Sequence, residues 1–199
     1  MLKTNFDNIK EKLNFINIST DELSLVEWKP PRSFKSYILD LNIVKENAAK
    51  DVFFHIFKGN SKIAHIKKDY LIYSIGAKTD VQFQLMEALL EYVDKKFKEI
   101  YDIDVILSFE NVSSNIFRDF NNTIENILDN LKELDLVKKI SVYCRVCKKV
   151  LHVYVKKSFI DNSEDFPVPI VYNHAGHAVL IFIDKNFDVR GAELVNLTG

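Results

Sequence analysis

Four residues in the last third of the chain have the types and spacing that bind a transition metal. Cys144 and Cys147 form a CxxC pair, His174 and His177 form an HxxH pair, and 26 residues separate the two. Thiolate sulfur and imidazole nitrogen are the donors that zinc takes, four at a time and in a tetrahedron. Four protein donors leave no position for water or substrate, so a structural Zn2+ is expected in preference to a catalytic one.

The flanks of both pairs predict the elements that would position them. Ile140, Val142 and the run from Val150 to Val155 are rich in β-branched and aromatic residues, so the CxxC falls at the turn between two strands. Pro169 to Tyr172 precede the HxxH and Ala178 to Ile183 follow it, with Gly176 free to make a tight turn. Two hairpin tips brought side by side would close around one ion. The pairing of two short motifs on matching flanks resembles the zinc-ribbon or zinc-knuckle group over about residues 139–183. In that group two hairpin knuckles each supply two ligands. The resemblance implies Cys144, Cys147, His174 and His177 as the ligand set. Lys148, basic and just after the second cysteine, fits it, whereas the histidine pair departs from the commoner cysteines.

Other chemistry for these residues has weaker support. A redox CxxC places its first cysteine at a helix N-terminus, and here a strand-like run follows Cys147. A disulfide belongs to a secreted framework, and the chain has only these two cysteines and no secretory pattern at its start. The two pairs could also be unrelated. His152 could add a fifth donor, although an ordinary strand side chain is the simpler reading.

Composition sets the outer bounds. At 199 residues, 47% hydrophobic and 28% charged, the chain is long enough for one large or two small domains with packed cores. Five glycines and four prolines argue against long linkers, and no apolar run approaches the roughly 20 residues of a membrane span. A cytoplasmic location is the expectation. The net charge of −1 is unevenly placed: from Lys138 onward there are 9 basic and 6 acidic residues, against 18 and 22 before it. Three lysine pairs (138–139, 148–149, 156–157) with Tyr143 and Tyr154 would suit nucleic acid, but lysines at strand edges are also solubility devices, and nucleic acid is not favoured.

Upstream, periodicity predicts an α+β domain over residues 1–137, followed by a β-rich domain over 138–199. Leu2, Phe6, Ile9, Leu13 and Ile16 recur at helical spacing, and a polar connection then runs to Trp28 and Pro30. Strands are expected at 36–43, 52–57, 62–66 and 70–75, with Gly59-Asn60 as a turn. Thr79 and Gln82 have capping-box spacing before a helix striped by Phe83, Met86, Leu90, Val93, Phe97 and Ile100. A further strand is expected at 103–109. A last helix, capped by Ser113 or Ser114, would carry Phe117, Phe120, Ile124, Ile127, Leu131 and Leu134. The predicted architecture is thus an antiparallel sheet with two or three amphipathic helices packed on it.

That layout is loosely similar to the longin, roadblock and profilin-like group over about residues 34–134. The resemblance implies a binding platform of the kind used in trafficking and small-GTPase regulation. Four strands precede the long helix here, where longins have two. The sequence contains no phosphate loop, GxGxxG, HExxH or GxSxG, and its carboxylates are scattered over polar faces. A non-catalytic module that binds a protein partner is the expectation from these features.

Overall fold

The computed structural model describes residues 9–31, 49–108, 113–174 and 176–195, and of Leu107 only the backbone. It is an α+β protein whose sheets are antiparallel, and the chain divides into two compact units, Met1–Asp135 and Leu136–Gly199.

In the N-terminal unit a helical turn, α1 (Ile9–Lys12), leads into β1 (Leu13–Ser19) and β2 (Ser24–Trp28). A hairpin meander follows: β3 (Phe53–Lys58), β4 (Ser61–Lys68) and β5 (Leu71–Lys78). The sheet order is β2-β1-β5-β4-β3. β1 and β5 are buried on both faces. This explains why Leu13 and Ile16 do not continue a helix: a central strand buried on both sides carries no clean alternation, and its apolar residues happen to fall at helical spacing. The polar connection expected before Trp28 is likewise strand β2, anchored by buried Leu25, Val26 and Trp28. The strand expected at 36–43 lies outside the described residues.

The long helix α2 (Phe83–Ile100) packs on β4 and β5. Met86, Leu90, Val93 and Phe97 are wholly buried, each side chain contributing roughly 1.5–3 kcal/mol of transfer free energy. The capping box does not form. The helix begins after Gln82, whose side chain makes no cap bond, because Thr79 and Asp80 belong to the turn that leaves β5. Residues Ile103–Leu107 form a short helix, α3, in place of a strand. Asp102 caps it by accepting a hydrogen bond from the Val105 backbone N–H at 3.2 Å. The last helical stretch is broken into a 3-10 turn (Ser114–Phe117), started by Ser113, and α4 (Phe120–Asp129). Phe97, Tyr101, Phe117 and Phe120 pack ring against ring, with Phe97 and Phe120 edge-on at 4.9 Å. Against β2, the Trp28 indole N–H donates to Glu125 Oε1 at 2.6 Å.

Register assigns the two faces of this sheet. His55, Phe57 and Lys62 face α2, where His55 Nε2 lies 2.9 Å from Glu87 Oε1 and the Lys62 ammonium sits 4.5 Å from the centre of the Phe83 ring. Burial lowers the Lys62 amine to about 8, against a weaker upward pull from Asp80. The opposite face carries a cross-strand row of Asn17, Ser74 and His65, each nearly or wholly buried. On it Phe15 lies opposite Gly76, its ring so close that a Cβ there would meet Cε1 at 2.3 Å.

The C-terminal unit consists of a hairpin, β6 (Val137–Cys144) and β7 (Lys149–Lys156), a short helix α5 (Lys157–Asp161), and a three-stranded sheet. That sheet is β8 (Val168–His174), β9 (His177–Ile183) and β10 (Val189–Val195), in the order β10-β9-β8. Asp184 organises the last turn, its Oδ1 accepting from the N–H groups of Asn186 and Asp188 at 2.8 and 2.9 Å. The turn closes the β9–β10 hairpin.

Candidate metal centre

Both ligand motifs end strands. β6 alternates exposed and buried residues from Ile140 onward, so Ile140, Val142 and Cys144 share the inward face. Their partners Val153 and Leu151 on β7 lie on the same side. Ile170 on β8 and Val179 and Ile181 on β9 complete one apolar cluster with them. Burial of this shared core holds the two hairpins face to face and brings their tips together. At the first tip the chain turns through Arg145 to Lys148, and Lys148 takes a left-handed conformation with φ 54°. At the second, His174 pairs directly with His177, and Gly176 makes the turn at φ 81°, where a side chain would be strained.

The donor atoms converge. Cys144 Sγ, Cys147 Sγ and a ring nitrogen of His177 lie within 4.8 Å of one another. Cys144 Sγ is 3.0 Å from His177 Nε2, and Cys147 Sγ is 3.4 Å from His174 Nε2. A tetrahedral zinc with its usual bond lengths sets sulfur–nitrogen edges of about 3.6 Å. Both cysteine–histidine distances are somewhat shorter than that edge, so an ion would enter with a small outward movement of the side chains. Three of the four sequence-derived residues thus form one cluster able to hold a metal ion. The fourth, His174, stands beside Cys147 with its ring edge-on to His177, centroids 5.5 Å apart.

The electrostatics favour a thiolate. The backbone N–H of Cys147, followed by the His177 imidazole, the Cys147 side chain and the Val146 N–H, brings the Cys144 thiol down to about 7, although burial opposes the change. Both cysteines are free thiols. Neither stands at a helix N-terminus, the position that a redox CxxC exploits. His152 takes no part: it is exposed on the outer face of β7, with Nδ1 3.2 Å from Ser141 Oγ.

A shallow pocket of about 250 Å³ adjoins the centre, lined by Tyr143, Arg145, Val146 and Leu194 beside Cys144. The only hint of it in the sequence is an aromatic and a basic residue flanking the first cysteine. The fold and the site together define an α+β protein with a Cys2His cluster between hairpin tips. Comparison of the sequence with protein-family models and with curated proteins gave no match. Among the described residues, no helix is long and apolar enough to cross a membrane.

Proposed function

We propose that the protein is a non-catalytic binding or regulatory module whose β-rich unit is stapled by one structural zinc ion. The observation that supports this reading is the convergence of the donors: Cys144, Cys147 and His177 cluster within 4.8 Å, and His174 Nε2 lies 3.4 Å from Cys147 Sγ. With His174 as fourth donor a tetrahedral ion would have no side left for a substrate. Zinc is the metal that suits this donor set, because thiolate with imidazole in a tetrahedron is a structural zinc combination. Cys144, Cys147 and His177 would form its inner three contacts and His174 would complete them.

The partner we propose is a protein. In the N-terminal unit Tyr70 (66% exposed) and Ile100 (52% exposed) border a groove framed by Asp69, Lys98 and Asp104. Exposed apolar side chains with mixed charge at the rim fit a protein surface better than a polyanion. The platform role implied by the longin-like resemblance agrees with that proposal.

Cobalt substitution tests the site. Cobalt-loaded protein should show the absorption of a tetrahedral sulfur–nitrogen site, unchanged by added azide. A spectrum that shifts with azide would reveal an open coordination position and turn the reading towards an enzyme.

A further inference from the structure

The β6–β7 hairpin is charged in one sense only. Residues 136–160 contain seven basic side chains and no aspartate or glutamate, in a protein whose net charge is −1. The structure sorts these cations. Lys156 is buried, and Lys138 donates to the Asn186 carbonyl while lying over the Phe187 ring. Lys139, Arg145, Lys148 and Lys149 are exposed and form no ion pair among the described residues.

An aromatic side chain sits among them. Alternation along β6 puts Lys139, Ser141 and Tyr143 on the outer face, opposite the apolar cluster, and cross-strand pairing sets Val150 beside Tyr143. Tyr143 is 57% exposed and Val150 56%. Tyr154, the other tyrosine with a position suited to stacking, is only 3% exposed. Lys139 lies four residues before Tyr143, about 13 Å along an extended strand. Arg145 and Lys148 lie on its other side, at the tip. A flat platform for one ring therefore has cations at both ends.

We propose that this outer hairpin face binds single-stranded nucleic acid. Phosphates would contact Lys139 on one side and the Arg145–Lys149 tip on the other, with an unpaired base stacked on Tyr143. Sequence-tolerant single-strand recognition combines these two elements, a cationic track and an aromatic platform. A duplex keeps its bases stacked internally and could use only the charges. The proposal does not depend on which metal occupies the neighbouring centre.

The test is fluorescence anisotropy of the full-length protein with a labelled oligothymidylate of about a dozen nucleotides, titrated at several salt concentrations. Binding should weaken with salt at a slope near −2 to −3 in log K against log concentration, about 0.7 for each of three or four phosphate contacts. Tyr143→Ala should weaken binding about tenfold with the slope unchanged, and Tyr143→Phe should restore it. Lys139→Ala with Arg145→Ala should flatten the slope by about 1.4. These side chains are exposed, and far-ultraviolet circular dichroism with metal content checks that each variant remains folded. Absence of binding at about 50 mM salt would overturn the proposal. So would competition by polyglutamate equal to that by the oligonucleotide together with a silent Tyr143→Ala, since the face would then recognise acidic polymers such as an acidic peptide through charge alone.

Discussion

His65 gives the sharpest quantitative prediction. It lies at the centre of β4, wholly buried, stacked on Phe54 at 5.4 Å, and neither of its ring nitrogens has a hydrogen-bond partner among the described residues. Burial, with the nearby His55 as a lesser cause, lowers its pKa from 6.5 to about 4. Below pH 6.5 the unfolded chain therefore accepts a proton that the folded chain refuses. The stability contribution is intact above that pH and is lost as the pH falls towards 4. Linkage puts the loss at about 2 kcal/mol by pH 5 and about 3 kcal/mol by pH 4, relative to pH 7.

Replacement by a residue that cannot titrate should remove that slope. In His65→Leu the stability difference from the native chain should grow in the variant's favour by about 2 kcal/mol between pH 7 and pH 5. Carboxylates titrating over the same range are common to both proteins and cancel in the difference. At pH 7 the variant should be no less stable, because an unpartnered buried polar ring is being exchanged for an apolar group. Urea unfolding followed by Trp28 emission is the assay, since the single tryptophan lies buried in the same unit as His65. Parallel pH profiles for the two proteins would refute the reasoning. So would a variant weakened by more than about 1 kcal/mol at pH 7, which would mean that the imidazole makes bonds it is held here to lack.

Three further outcomes can be measured directly. Cys147→Ser and His177→Ala should abolish bound zinc and unfold the C-terminal hairpins while Trp28 emission stays native, with His174→Ala weakening metal less than His177→Ala; elemental analysis and circular dichroism read both effects. Gly76→Ala should cost about 1–3 kcal/mol in urea melts, because the buried Phe15 ring must leave its position over β5 to admit a methyl group. Glu125→Ala, which removes the acceptor of the Trp28 indole N–H, should cost about 1 kcal/mol in the same assay, and no change would mean that water replaces the carboxylate without loss.

The clustering of Cys144, Cys147 and His177 was legible in the sequence because its geometry is local. Each pair of donors straddles one turn, and turns flanked by β-branched runs are short-range signals. What the sequence could not supply was the unequal placement of the donors, with His177 inside the tight cluster and His174 at its edge. That depends on how the second hairpin seats against the first. The three meander strands and the long helix were also legible, through apolar runs punctuated by the Gly59-Asn60 turn and through the stripe from Met86 to Phe97. β1 was not, because a strand buried on both faces has no alternation to read, and Leu13 and Ile16 supplied a false helical spacing. Asp102 decided residues 103–107: a local side-chain cap made a helix of an apolar run with strand propensity.

The position of β1 has a consequence for how the chain is made. It is synthesised well before β5, yet it occupies an interior place in its sheet, between β2 and β5. Its inner neighbour emerges some fifty residues later, so for that interval the β1–β2 hairpin must present an open, apolar edge. The sheet can zip shut only once Leu71–Lys78 has been synthesised, which makes its closure a late and long-range event. A ribosome stalled before that point would hold a nascent chain with a sticky flank, whereas one stalled once Leu71–Lys78 had cleared the exit tunnel would hold β1 and β5 already joined.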